Sequence, residues 1–152
     1  MNKAARKVID YCIANDIGAL VVGYNETFQR NNHIGKRNNQ NFVNIPYGHL
    51  RSKLEYLCRL NGIIFVKQEE SYTSKSSFWD QDDIPVYNAD NPREYQFSGK
   101  RVHRGQYKTA NGKTINADVN GALNIMRKSS VVDVSILYGR GEVDTPVRIR
   151  IA

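Results

Sequence analysis

The run Asn116-Ala117-Asp118-Val119-Asn120-Gly121-Ala122-Leu123-Asn124-Ile125-Met126-Arg127-Lys128 decides how the rest of the 152-residue chain is read. Val119, Ala122, Leu123 and Met126 recur at helical spacing, which gives one apolar face able to pack on a sheet. Asn116 or Asp118 suits the N-cap, and Arg127 and Lys128 suit the negative end of the helix dipole. Asp118 falls in the first turn, beside Asn120 and Asn124. By spacing it is either a cap or a metal ligand.

Upstream, two passages each run from a helix into an apolar strand. Ala5, Val8, Ile9 and Cys12 make one stripe over residues 3–15, Asp16-Ile17-Gly18 stops it, and Ala19-Leu20-Val21-Val22-Gly23 reads as a short buried strand. Pro46 then takes a first helical position ahead of Tyr47, Leu50, Leu54, Leu57 and Cys58. Gly62 suits the helix end, and Ile63-Ile64-Phe65-Val66 reads as a second buried strand. Helices feeding strands predict a layered α/β arrangement. Glu69 and Glu70 close the second strand. They are either carboxylates at the functional edge of an open sheet or a charged strand end in solvent.

The net charge of +7 favours a polyanionic partner, most often nucleic acid. Cys12 and Cys58 both lie on apolar helix faces and read as core residues rather than as a disulfide or metal pair. His33, His49 and His103 are scattered without zinc-ligand spacing. No run is apolar enough to span a bilayer and no signal-peptide core opens the chain, so the expectation is a cytoplasmic protein without a membrane partner.

Residues 24–44 are polar and lack a period, and they carry Arg30, Lys36 and Arg37. The segment is either a solvated connection or a surface that tracks a nucleic-acid strand. Residues 76–114 hold the acidic cluster Asp80, Asp82 and Asp83 beside Trp79, then a basic run from Lys100 to Lys108 that includes Arg101 and Arg104. The run alternates, which predicts an edge strand or hairpin, and Asn111-Gly112 is the turn that follows. Residues 131–152 read as a weakly structured tail, in which Pro146-Val147-Arg148-Ile149-Arg150-Ile151 forms a short strand or stays loose.

Taken in order, several motifs are specific. Val21-Val22-Gly23-Tyr24-Asn25 comes first, then Gly35-Lys36-Arg37-Asn38-Asn39-Gln40-Asn41-Phe42-Val43 and Ile45-Pro46. Glu70-Ser71-Tyr72-Thr73-Ser74-Lys75, Phe97-Ser98-Gly99-Lys100-Arg101, Arg104-Gly105 and Asn116-Ala117-Asp118-Val119-Asn120-Gly121-Ala122 follow. This set resembles the C-terminal part of the OrfB/TnpB proteins of insertion sequences, over residues 1–128. Those proteins, historically called transposases, are RNA-guided DNA endonucleases of mobile elements and relatives of the type V CRISPR effectors.

The resemblance implies a partial RNase H-like, RuvC-like α/β domain with a mixed sheet flanked by helices, and residues 129–152 as a tail. It implies two-metal hydrolysis, with Asp118 matching the third acidic motif and so a Mg²⁺ ligand. Where many relatives place a Glu after the first strand, this chain has Gly23, with Glu26 a few residues on. Glu70 is then the candidate catalytic and metal-binding Glu, and Glu69 its backup. Arg30, Lys36, Arg37, Lys75, Lys100, Arg101, Arg104 and Lys108 are the expected contacts to DNA or guide RNA. Most relatives carry a four-cysteine zinc ribbon at the place of residues 76–114. Here that insertion has no Cys, so no zinc is expected, and packing of Phe78, Trp79 and Tyr87 is expected to hold it. The first acidic motif, a Gly-x-Asp-x-Gly strand, is missing from this chain. Mg²⁺ is expected to bind only if another segment, such as a separately encoded N-terminal half, completes the site. The alternative is a catalytically inactive nucleic-acid-binding module.

Overall fold

The computed structural model describes residues 1–25, 47–139, 143 and 145–149. The chain divides into two compact units, residues 1–67 with 149–152, and residues 68–148.

The first unit contains helix α1 (Asn2–Ala14), strand β1 (Ala19–Tyr24), helix α2 (Tyr47–Leu60) and most of strand β2 (Ile64–Glu69). The predicted stripes meet here, except that Val8 of the first is exposed. Ala5, Ile9 and Cys12 of α1 and Leu54, Leu57 and Cys58 of α2 form one buried cluster, with Leu20, Val22 and Phe65 packed against it. Both cysteines are free and buried, as their placement on apolar faces predicts. Burial pushes both thiols up, Cys58 also through its neighbour Cys12, so they are inert core residues.

The two helices end alike. Ile17 N–H donates to Cys12 O with Asp16 at φ 52°, and Ile63 N–H donates to Cys58 O with Gly62 at φ 68°. In each case a left-handed residue stops the helix and turns the chain into a strand. Gly62 does this as predicted. After α1 the position falls to Asp16, the first of the three residues predicted to stop the helix.

The strands are less buried than the sequence predicts. β1 is half-buried throughout, and Ile64 is 65% exposed beside the buried Ile63. Among the described residues the two strands form a two-stranded sheet, and alternate residues of each apolar run face away from the helices.

The second unit holds strands β3 (Lys100–His103), β4 (Gln106–Lys108) and β5 (Thr114–Asn116), an antiparallel sheet in the order β3-β4-β5, followed by helix α3 (Ala117–Ser129). The quoted run is therefore a helix, as its period requires. Tyr107, Ile115 and Ala117 are buried together with Trp79 against them. Phe78, Leu123 and Val134 form a second cluster. Within the stretch read as a tail, Val134 is thus buried, and the Tyr138 ring packs tilted against Phe78 with ring centroids 4.9 Å apart. Residues 145–149 carry no strand.

Candidate nucleic-acid interface and its neighbouring carboxylates

The basic run folds as the hairpin its alternation predicts. Register pairs Arg101 with Tyr107 and Tyr107 with Ile115, and it pairs Lys100 with Lys108 and Lys108 with Thr114. Directly opposed residues share a face. Tyr107 and Ile115 are buried, so Lys100, Lys108 and Thr114 line the opposite, exposed face. Gly105 at φ 76° closes the β3–β4 loop, and Gly112 at φ 85° turns β4 into β5 at the predicted Asn111-Gly112. Arg104 is exposed at the first of these loops, and Lys75 is exposed with Nζ 5.9 Å from the Tyr72 ring centre. Arg30, Lys36 and Arg37, like Glu26, lie outside the described residues.

The quoted helix resolves the capping question. Asn116 Oδ1 accepts from the backbone N–H of Asp118 at 2.9 Å and of Val119 at 3.0 Å. Asn116 is the cap, and the Asp118 side chain is left 86% exposed, 3.7 Å from the Arg101 guanidinium. At that exposure the ion pair adds little stability. Two residues expected in the site, Asp118 and Arg101, are thereby brought together. Glu70 follows β2 directly, and its carbonyl accepts from the Thr73 N–H and hydroxyl at 3.2 and 2.9 Å.

Glu69 has a different occupation. Its Oε1 accepts from Ser71 N–H at 2.5 Å and its Oε2 from Lys128 Nζ at 2.6 Å. Lys128, with a 9% exposed side chain, also donates to the carbonyls of Ser71 and Pro85 at 3.1 and 3.2 Å. All three ammonium protons are thus used. Burial raises the Glu69 carboxyl, but the hydrogen bonds from Lys128 and Ser71 and the Lys128 charge outweigh it, and the net shift is downward from 4.5. A carboxyl lowered in the fold stabilises it fully above its unfolded pKa and loses that contribution as pH falls through the folded value. Urea midpoints are therefore expected to drop below pH 4.5, and Glu69→Gln to flatten that acid branch. An unchanged branch in the variant would show the pair to be energetically idle.

Residues 73–82 are held by polar contacts that the sequence reading did not foresee. Asn120 and Asn124, both 0% exposed, reach from α3 into the loop at residues 73–78. Asn120 Oδ1 accepts from Phe78 N–H at 2.9 Å and its Nδ2 donates to Ser76 O at 2.8 Å. Asn124 Nδ2 donates to Thr73 O and Ser76 O at 2.9 and 2.7 Å. Asp80 Oδ2 accepts from the Ser77 hydroxyl at 2.5 Å and from Ala110 N–H at 3.0 Å. The Asp82 carboxylate accepts from Ser77 N–H at 2.8 Å, from Ser98 N–H at 3.0 Å and from the Ser98 hydroxyl. Arg127 donates to the Asp82 carbonyl. Two of the three acidic residues are thus hydrogen-bonded ties between segments. Phe78 and Trp79 do pack as expected, but Tyr87 is 47% exposed and does not. The spacing of Asn120 and Asn124 by four, on the apolar side of α3, was the available signal.

Among the described residues no three His, Cys, Asp or Glu side chains gather closely enough to hold a metal ion. The described residues therefore do not by themselves fit a pair of Mg²⁺ ions, and no hydrolytic step follows from them. Among them, too, no helix is long and apolar enough to cross a membrane.

A mixed α/β chain with a basic hairpin sheet packed on a carboxylate-bearing helix has counterparts among known proteins. A family model described as the Cas12f1-like TNB domain matches residues 47–125, more than half of the chain. The chain belongs to that family, and the expected kinship with the OrfB/TnpB proteins and type V CRISPR effectors holds. A solved structure described as a cryo-EM structure of the Cas12f1–sgRNA–target DNA complex is similar in fold, with a TM-score of 0.54 and 20% identity. The likeness covers 86% of this chain and 32% of that one, so the chain spans about a third of the length of the protein it resembles. No match to a curated protein was found.

Proposed function

We propose that this chain is a nucleic-acid-binding part of an RNA-guided, transposon-type DNA endonuclease, with the β3–β5 face as its phosphate-gripping surface. The observation that carries this reading is the register pair Lys100–Lys108 on the exposed face. Like charges placed directly opposite destabilise a sheet unless an anion lies between them. A phosphate backbone supplies that anion, with Thr114 in the same row as a hydroxyl donor. Family membership and the fold likeness to a Cas12f1 chain support DNA and guide RNA as partners.

The test is binding of an oligonucleotide across a salt series. Each phosphate contact contributes about 0.7 to the slope of log K against log salt for single strands, and about 0.9 for duplex. Replacing Lys100 and Lys108 together by serine is expected to lower the slope by about 1.4 to 1.8. An unchanged slope would move the interface elsewhere.

In this reading residues 1–128 are the C-terminal part of a RuvC-like, RNase H-like domain acting in the cytoplasm, and residues 76–114 are a zinc-free remnant of the ribbon. The Asn120, Asp80 and Asp82 ties hold turns that zinc holds in most relatives. Glu70 and Asp118 are two of the carboxylates of a Mg²⁺ site, and the others come from a separate N-terminal segment. The support for Asp118 is that Asn116 relieves it of capping. With a segment carrying the Gly-x-Asp-x-Gly motif supplied, Asp118→Ala is expected to abolish Mg²⁺-dependent cleavage and leave binding intact. The second reading, a binding module without hydrolysis, is favoured by the lack of a three-ligand cluster among the described residues. It predicts no cleavage in the reconstituted wild type.

A further inference from the structure

Beside the basic sheet, the segment between the acidic cluster and β3 forms a cleft of about 540 Å³, lined by residues 82–85 and 95–97. That volume falls in the range of sites that enclose a small molecule, and far exceeds a water site. Its wall is aromatic. Tyr95 is 41% exposed, and Tyr72 packs edge-on behind it with ring centroids 5.1 Å apart and at 6.1 Å from Phe97. Tyr72 holds φ at 62°, a conformation that a bulky side chain adopts only when its surroundings impose it.

The polar groups at the cleft differ in availability. Asp82 is committed to Ser77 and Ser98, whereas Asp83 is exposed and Gln96 offers both a donor and an acceptor. Phe97 lies three residues before Lys100, so the cleft opens within about 11 Å of chain from the proposed phosphate row.

We propose that this cleft receives one unstacked nucleobase from the strand that the β3–β5 face holds, an inference that rests on the interface reading above. Tyr95 supplies the stacking surface, which every base satisfies. Asp83 supplies an acceptor pair that rejects phosphate by charge and takes N–H donors from a base edge. Guanine presents two adjacent N–H donors on its pairing edge and thymine one, so guanine is the preferred occupant.

The experiment compares three short single strands on the full chain: all-thymine, the same strand with one central guanine, and an abasic strand. The wild type is expected to bind the guanine strand most tightly and the abasic strand least. Tyr95→Ala is expected to weaken the base-bearing strands roughly 5- to 150-fold, the usual range for one stacked base, and to leave the abasic strand unchanged. Tyr95→Phe keeps the ring and is expected to bind as the wild type does, which separates stacking from misfolding. Asp83→Asn is expected to erase the preference for guanine over thymine.

Equal losses on base-bearing and abasic strands, or no loss in Tyr95→Ala, would overturn the base pocket. If the Lys100/Lys108 variant still lowers the salt slope, the interface reading survives that failure; if no strand binds the wild type, both fall. Saturable binding of an arginine-rich peptide that Asp83→Asn abolishes, with the oligonucleotides unaffected, would assign the cleft to a cationic side chain and overturn the proposal.

Discussion

Asn120→Ala is expected to lower the unfolding free energy of the second unit by about 3 to 4 kcal/mol. The side chain is 0% exposed and answers two backbone groups of a segment more than forty residues away, the Phe78 N–H and the Ser76 carbonyl. Ser76 O keeps a second donor in Asn124, at 2.7 Å. Phe78 N–H has no such reserve, and an orphaned buried donor costs roughly 1 to 3 kcal/mol. The cavity left under Phe78 adds the rest. Trp79, the single tryptophan, packs in the same region with its ring 5.3 Å from Phe78, so its emission reports the loss directly in a urea titration. A change below about 1 kcal/mol would mean that the loop at residues 73–78 is held by packing alone.

Gly99→Ala is expected to cost about 3 kcal/mol, or to prevent the hairpin from docking. A Cβ there would stand 2.5 Å from Tyr107 Cε1, 2.6 Å from the Lys108 carbonyl and 2.8 Å from the Tyr107 hydroxyl. None of these yields easily. Tyr107 is 0% exposed, its hydroxyl donates to Lys75 O at 2.7 Å, and the Lys108 carbonyl belongs to β4. Burial, with Asp82 and Asp80 nearby, also pushes the Tyr107 phenol up to about 12, so its proton stays on that hydrogen bond. Hydrogen exchange over residues 100–116 is the measurement, and protection equal to wild type would show that the backbone can retreat. Smaller side chains at position 107 are expected to recover part of the loss, because they remove two of the three contacts.

Much of this was legible in the chain because the signals were periodic. The α1 and α2 stripes, the turn at Gly112 and the helix from residue 117 all follow from spacing and from residues with special backbone freedom. The strands were placed correctly but read as too buried, because an apolar run does not say how many neighbours its sheet will have. The role of the acidic cluster is illegible in the sequence for another reason. A carboxylate among Ser and Asn residues looks the same in sequence whether water or a backbone N–H of a distant loop satisfies it. Only the fold brings Asp82 to Ser98, or Asp80 to Ala110. The tie of Glu69 was not legible either, since its partner Lys128 lies nearly sixty residues on.

The first turn of α3 carries one more lesson. Because Asn116 closes the helix start and the exposed Arg101 pair adds little, the molecule's folding depends only weakly on the chemistry of position 118. Anything that a substitution there silences was never a matter of architecture, which makes this aspartate a clean switch for dissecting what the protein does from whether it stands.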